Sequence, residues 1–133
     1  MAVVVDASAL VFATTETTPS ARRLLGRLQQ EVCHAPHLID AELGNVLRRK
    51  VGRRELKEEH ARVVLGQAPE LVDHRYEHRG AMASAAWALR ENVSFYDALY
   101  LVLAAAVDAP LVTLDRRLAV APGLPCRVDV VVH

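Results

Sequence analysis

The chain has 133 residues, enough for one domain and short for two, and its 52% hydrophobic content can fill one core, which excludes a disordered or low-complexity protein. Its 16 basic and 16 acidic residues cancel, so it lacks the overall positive charge of a generic nucleic-acid coat. Two isolated cysteines, Cys33 and Cys126, exclude a disulfide framework and a CxxC metal site; they read as small core residues in a reducing compartment.

In chain order, Val3-Val4-Val5 is the kind of β-branched run expected of a strand buried on both faces. Asp6-Ala-Ser8 opens a helix, with Asp6 or Ser8 as its cap, and Thr14 to Thr18 reads as a polar loop. Pro19 starts a helix through Leu24, Leu25 and Leu28; Val32 to Ala35 reads as a second strand, closed by Pro36. A helix is expected from His37 to Val51, ended by Gly52, and another from Glu55 to Leu65, stopped near Pro69. Leu71 to His74 is a strand candidate, and Ala81 to Arg90 is helical, with Trp87 expected in the core. Ser94 opens an apolar helix to Ala106, Leu111 to Leu114 is a buried strand, Asp115 starts a short helix, and Arg127 to Val132 is a final strand. Alternating strands and helices predict a single α/β domain over residues 1–133 with a mostly parallel sheet. The N-terminus has no basic leader region, and the longest apolar run, Ala98 to Val107, falls short of the roughly 20 residues a bilayer requires. A soluble, cytoplasmic protein is expected.

Four acids stand beside these apolar segments. Asp6 and Asp115 each follow a predicted buried strand, where parallel α/β sheets bind their ligands. Helix capping alone would also explain either residue. Glu42 has Leu38, Ile39 and Val46 at three- and four-residue spacing, so its carboxylate either faces inward or borders the apolar stripe. Asp97 lies between Val93 and Leu101, and Ser94-x-x-Asp97 also has capping-box spacing. Four such carboxylates in one place would repel unless protonated or neutralised by a divalent cation. Oxygen-only ligation selects Mg²⁺, or Mn²⁺, over Zn²⁺. Such an ion binds phosphate oxygens and acidifies water, as phosphodiester hydrolysis needs.

These segments resemble the PIN domain, and within it the VapC-type toxins of bacterial type II toxin–antitoxin pairs. The resemblance covers nearly the whole chain. It rests on Val3-Val-Val-Asp6-Ala-Ser8, on Ala35-Pro-His-Leu-Ile-Asp-Ala-Glu42-Leu-Gly-Asn45-Val-Leu-Arg48, on Ser94-Phe-Tyr-Asp97-Ala-Leu-Tyr100 and on Leu111-Val-Thr113-Leu-Asp115-Arg-Arg-Leu118. It implies a three-layer α/β/α fold with four or five sheet strands. It also implies a homodimeric Mg²⁺-dependent endoribonuclease, held silent by a VapB-like antitoxin and cutting RNA with metal-activated water to leave 5′-phosphate and 3′-hydroxyl ends. By position, Asp6, Glu42, Asp97 and Asp115 are its metal-binding acids, with Asp6 and Asp97 the most direct. Ser8 and Thr113 are polar support, Asn45 orients Glu42, and Arg48, Arg49, Arg116 and Arg117 are candidates for RNA phosphate contacts. Where some relatives carry a further acid after the fourth, this chain has Arg116 and Arg117, which puts a second metal site in doubt.

Other readings meet specific obstacles. A receiver domain needs a phospho-acceptor Asp near mid-chain, and no Asp occurs between Asp40 and Asp73. A haloacid-dehalogenase-type phosphatase needs Asp-x-Asp after its first strand, where this chain has Ser8. No Walker or dinucleotide loop is present. His74 and His78 have zinc-compatible spacing but adjoin Arg75 and Arg79 and lack evident further ligands, so they read as surface residues. The aromatics are too few to suggest a stacking platform for single-stranded RNA. A PIN domain that binds RNA without cutting it remains the alternative, and such relatives usually lack one of the acids.

Overall fold

A computed structural model describes all 133 residues. The first strand, β1 (Ala2–Val5), places Val3, Val4 and Val5 at 0% exposure, the two-sided burial expected of a central parallel strand. Burying each such side chain contributes about 1.5–3 kcal/mol. Two helices follow, α1 (Ala7–Thr15) and α2 (Pro19–Gln30). The expected loop at Thr14 begins two residues later. The Thr14 and Thr15 hydroxyls donate to the Leu10 and Val11 carbonyls at 2.8 and 2.7 Å, so both polar residues fit the last turn of α1.

Strand β2 (Val32–Pro36) leads to α3 (Leu38–Gly52) and α4 (Glu58–Gln67). Helix α4 starts three residues after the expected Glu55. The chain reverses first, with Arg54 at φ 59° and the Glu55 N–H donating to the Lys50 carbonyl at 2.9 Å. Pro69 sits inside a 3₁₀ turn over Ala68–Leu71, and strand β3 is His74–Tyr76 rather than Leu71 to His74. An apolar run is a poor guide there, because β3 is a polar edge strand with one side open to water. The remaining elements are α5 (Ala81–Trp87), α6 (Phe95–Val107), β4 (Leu111–Thr113), α7 (Arg116–Ala119) and β5 (Val128–Val130).

Helix α5 ends at Trp87, short of the expected Arg90, and Trp87 is 60% exposed rather than in the core. Ala86 takes the inward position and packs with Ala98 and Leu99 of α6, and Met82 and Leu89 flank that contact. One residue on, the helical rotation carries Trp87 out to solvent.

All five strands are parallel, in the order β3-β2-β1-β4-β5. The chain moves outward from β1 through β2 to β3, then returns past β1 to β4 and β5. Right-handed crossovers therefore put α1 to α4 on one face and α5 and α6 on the other, making a three-layer α/β/α fold. The order reverses between β1 and β4. Their carboxyl ends flank the switch point, where doubly wound sheets leave a crevice. No helix is long and apolar enough to cross a membrane. Both cysteines are free; Cys33 is fully buried, which pushes its thiol up to about 11, and Cys126 is partly buried.

Candidate active site

Asp6 is the first residue beyond β1, and its carboxylate caps α1. Oδ1 accepts from the Ala9 N–H at 2.9 Å and from the Ser8 hydroxyl at 2.8 Å. The Thr113 hydroxyl, at the end of β4 and fully buried, donates to Asp6 Oδ2 and accepts from the Asp115 N–H at 3.1 Å. One hydroxyl thus ties the ends of the two switch-point strands together. Glu42 lies on α3, and its Oε1 accepts from the Tyr100 hydroxyl of α6 at 2.6 Å, so this bond joins two helices that lie on opposite faces of the sheet. Helix α3 is braced separately. Asp40 in its first turn accepts from Arg75 of β3 at 2.7 and 2.9 Å, and Arg75 also donates to the Pro69 carbonyl at 3.0 Å.

Asp97 sits in the first turn of α6. The Ser94 hydroxyl accepts its N–H at 3.1 Å, which is one half of the capping box and leaves the carboxylate itself unbonded. Asp115 caps α7, accepting from the Arg117 N–H at 3.0 Å, with the Arg117 guanidinium at 3.4 Å. Asp97 and Asp115 line one hollow of about 280 Å³ together with Asn92, Val93, Arg117, Leu118 and Ala121.

Burial pushes the carboxyl groups of Asp6, Glu42 and Asp97 above their usual range. Neighbouring charge adds to this: Asp97 acts on Asp6, Asp6 and Asp97 act on Glu42, and Asp115 acts on Asp97. Hydrogen bonds from Thr113, Ala9 and Ser8 oppose the rise at Asp6, and the Tyr100 bond opposes it at Glu42. The same burial and the bonded carboxylate push the Tyr100 hydroxyl up, so it stays a donor. Asp6, Glu42 and Asp97 are thus coupled through their charges, and Asp115 bears on Asp97, although they come from four separate elements.

The donor set suits a hard cation. Every carboxylate keeps an oxygen with unused acceptor capacity: Asp6 Oδ2 has one donor, Glu42 Oε2 and Asp115 Oδ2 have none, and neither Asp97 oxygen has any. As the side chains stand, no three His, Cys, Asp or Glu residues are grouped so as to hold a metal ion.

The other expected residues divide. Ser8 and Thr113 both bond Asp6, as support should. Asn45, expected to orient Glu42, is exposed, and its Oδ1 accepts from Arg48 at 3.1 Å; Tyr100 is bonded to Glu42 instead. Arg49 lies close enough to Glu42 to ease its ionisation. Arg48 lines a separate groove between α3 and α4 with Gly44, Leu47, Val51 and Leu65. Arg116 and Arg117 are exposed at the start of α7, beside the hollow. Tyr100 was findable in the sequence: it follows Asp97 by three residues, on the same helix face, and an inward Glu42 needed a donor.

The PIN domain family profile matches residues 3–124. Ribonuclease VapC1 of Mycobacterium tuberculosis is 51% identical over 128 residues, 96% of each chain. Ribonuclease VapC9 of the same organism is 37% identical over 97% of this chain and 98% of its own. Among solved structures, VapBC2 from Rickettsia felis bound to a DNA fragment from their promoter superposes with a TM-score of 0.71 at 16% identity, covering 97% of this chain and 98% of that one.

Proposed function

The chain belongs to the PIN domain family, and from that premise we propose that it is a Mg²⁺-dependent endoribonuclease, the toxin of a type II toxin–antitoxin pair. What supports the reading is that Asp6 stands at the β1/β4 switch point bonded to Thr113, that Asp97 and Asp115 share one hollow, and that the charge of Asp97 bears on both Asp6 and Glu42. The two relatives named ribonucleases support it over nearly their full length.

Bound there, Mg²⁺ or Mn²⁺ supplies Lewis acidity toward a phosphate oxygen and acidifies water for in-line attack on the phosphodiester. Asp6 and Asp97 would hold the ion, and Glu42 and Asp115 would complete the site. Ser8, Thr113 and the Ala9 N–H fix the Asp6 carboxylate, so one oxygen is presented in a set direction. Tyr100 does the same for Glu42 and leaves Oε2 to accept a proton from attacking water. Arg117 lines the hollow and Arg116 precedes it in α7, and both are assigned here to RNA phosphates flanking the cut. The protein works as a single cytoplasmic domain, as a homodimer, silenced by a VapB-like antitoxin; a VapBC complex among the structural neighbours supports the last assignment.

Purified protein incubated with RNA tests the reading. Cleavage is expected with Mg²⁺, none with EDTA, and the products should carry 5′-phosphate and 3′-hydroxyl ends. Cleavage that survives EDTA, or 2′,3′-cyclic phosphate ends, would overturn the metal-activated-water mechanism. Production of the protein alone should arrest bacterial growth, and the cognate antitoxin should restore it.

A further inference from the structure

Trp87 is the chain's only tryptophan, and the fold leaves it in water. An indole at 60% exposure forgoes a large apolar burial, so a partner for it is expected. It does not stand alone. Tyr96 is 61% exposed and Phe95 37% exposed in the first turn of α6. The packing of Ala86 on Ala98 and Leu99 pins the end of α5 against that turn. The connection from Ala88 to Ser94 then runs directly to the acids: Asn92 and Val93 line the same hollow as Asp97 and Asp115, and Tyr96 immediately precedes Asp97. The Arg90 guanidinium lies over the Trp87 ring, 5.1 Å from its centroid, and donates to the Trp87 carbonyl at 3.1 Å. Neither Arg90 nor Arg116 is paired with a carboxylate.

We propose, against the expectation that the aromatics are too few for it, that the exposed Trp87 and Tyr96 form a base-stacking platform near the acidic hollow, on which unpaired nucleotides of the RNA rest while the scissile phosphate lies over the carboxylates. The proposal rests on the nuclease reading and names the form of substrate that the site takes. Aromatic faces next to unpaired guanidinium groups suit a ligand that alternates π-faces with phosphates. That alternation favours RNA over a protein partner, whose apolar side chains would leave Arg90 and Arg116 without anions. Bases in a duplex have both faces covered, so the platform selects single-stranded or looped RNA. Phe95, less exposed, borders the platform from the same turn.

The lone tryptophan makes the test direct. In an Asp6→Asn background that binds without cutting, an unstructured 12-nucleotide RNA should quench Trp87 emission saturably, and a duplex of equal length should not. Tyr96→Ala should shift the titration midpoint by about tenfold. Trp87→Ala in the otherwise wild-type protein should raise KM by about tenfold, leave kcat unchanged and leave the sedimentation coefficient unchanged. RNA binding seen by anisotropy of a labelled strand without any change in Trp87 emission would overturn the proposal. So would equal quenching by the duplex, or dissociation of a dimer by Trp87→Ala, which would make the patch a contact between copies. Cleavage by wild-type protein with a silent Trp87 defeats the platform alone; wild-type protein that neither binds nor cleaves RNA defeats the nuclease reading with it.

Discussion

Asp6 and Glu42 are anchored: between them they accept from the Ser8, Thr113 and Tyr100 hydroxyls and from one backbone N–H, all partly or fully buried. By contrast, Asp97 and Asp115 are mounted at helix starts that line the hollow, Asp115 with the exposed Arg117 guanidinium at 3.4 Å and Asp97 with Ser94 beside it. The anchored pair is held by groups that are partly or fully buried, so its geometry is set before any ligand arrives. The open pair keeps its oxygens free for what enters the hollow. Preorganisation and access, which compete within one side chain, are here divided between two pairs of acids.

The largest effect that would break this comparison comes from removing charge on either side. Asp6→Asn and Asp97→Asn are each expected to abolish RNA cleavage, read as loss of product in a Mg²⁺-containing assay. Their stability effects should also share a sign. Both carboxyls are raised in the folded state, so they favour folding when protonated, and that advantage is lost as pH rises from the usual carboxylate range through the raised value. In metal-free protein at pH 7, each Asn variant should therefore melt higher than wild type, by about 4 °C per kcal/mol of relief. The gap should close toward pH 4. Metal-dependent cleavage retained by either variant would remove that residue from the site. A lower melting temperature at pH 7 would show that its charge is already compensated within the protein.

How much of this was legible in the sequence follows the same division. The buried strands and the acids behind them announce themselves, because Val3-Val4-Val5 and Leu111 to Thr113 are apolar runs that end in a polar residue. The edge strand β3 does not, since it satisfies half its surface with water and needs no apolar pattern. Glu42 could be placed facing inward, but its donor could not be named from α3 alone. The partner, Tyr100, lies 58 residues away on the opposite face of the sheet. The exposure of Trp87 was misjudged because hydrophobicity says a side chain prefers burial, and only the phase of α5, fixed by Ala86 against Ala98 and Leu99, says that it is denied it.

Tyr100→Phe sharpens the comparison at the anchored pair. It removes one oxygen while keeping the ring that is packed at 2% exposure. Glu42 loses its donor, so the fold should survive while activity or apparent metal affinity falls by about 10- to 100-fold. The diagnostic is the Mg²⁺ concentration for half-maximal cleavage, which should rise. An unchanged Mg²⁺ dependence would mean that Glu42 is held in place by packing alone, and the anchored pair would shrink to Asp6.

The smallest expected effect tests the open pair. Ser94 accepts the Asp97 N–H and caps α6, so Ser94→Ala should cost about 1 kcal/mol of stability, measurable by denaturant titration. The Ser94 side chain also eases ionisation of the Asp97 carboxyl, so the loss should reach activity both through fraying of the first turn of α6 and through a weaker hold on that carboxylate. Ser94→Asp preserves a capping oxygen and should restore stability, but it adds a negative charge three residues from Asp97. If activity follows stability across both variants, Asp97 needs only a well-formed helix start. If Ser94→Asp is stable yet slow, the local field is what limits the open pair, and the neutral serine at the helix start matters because it caps α6 without adding charge.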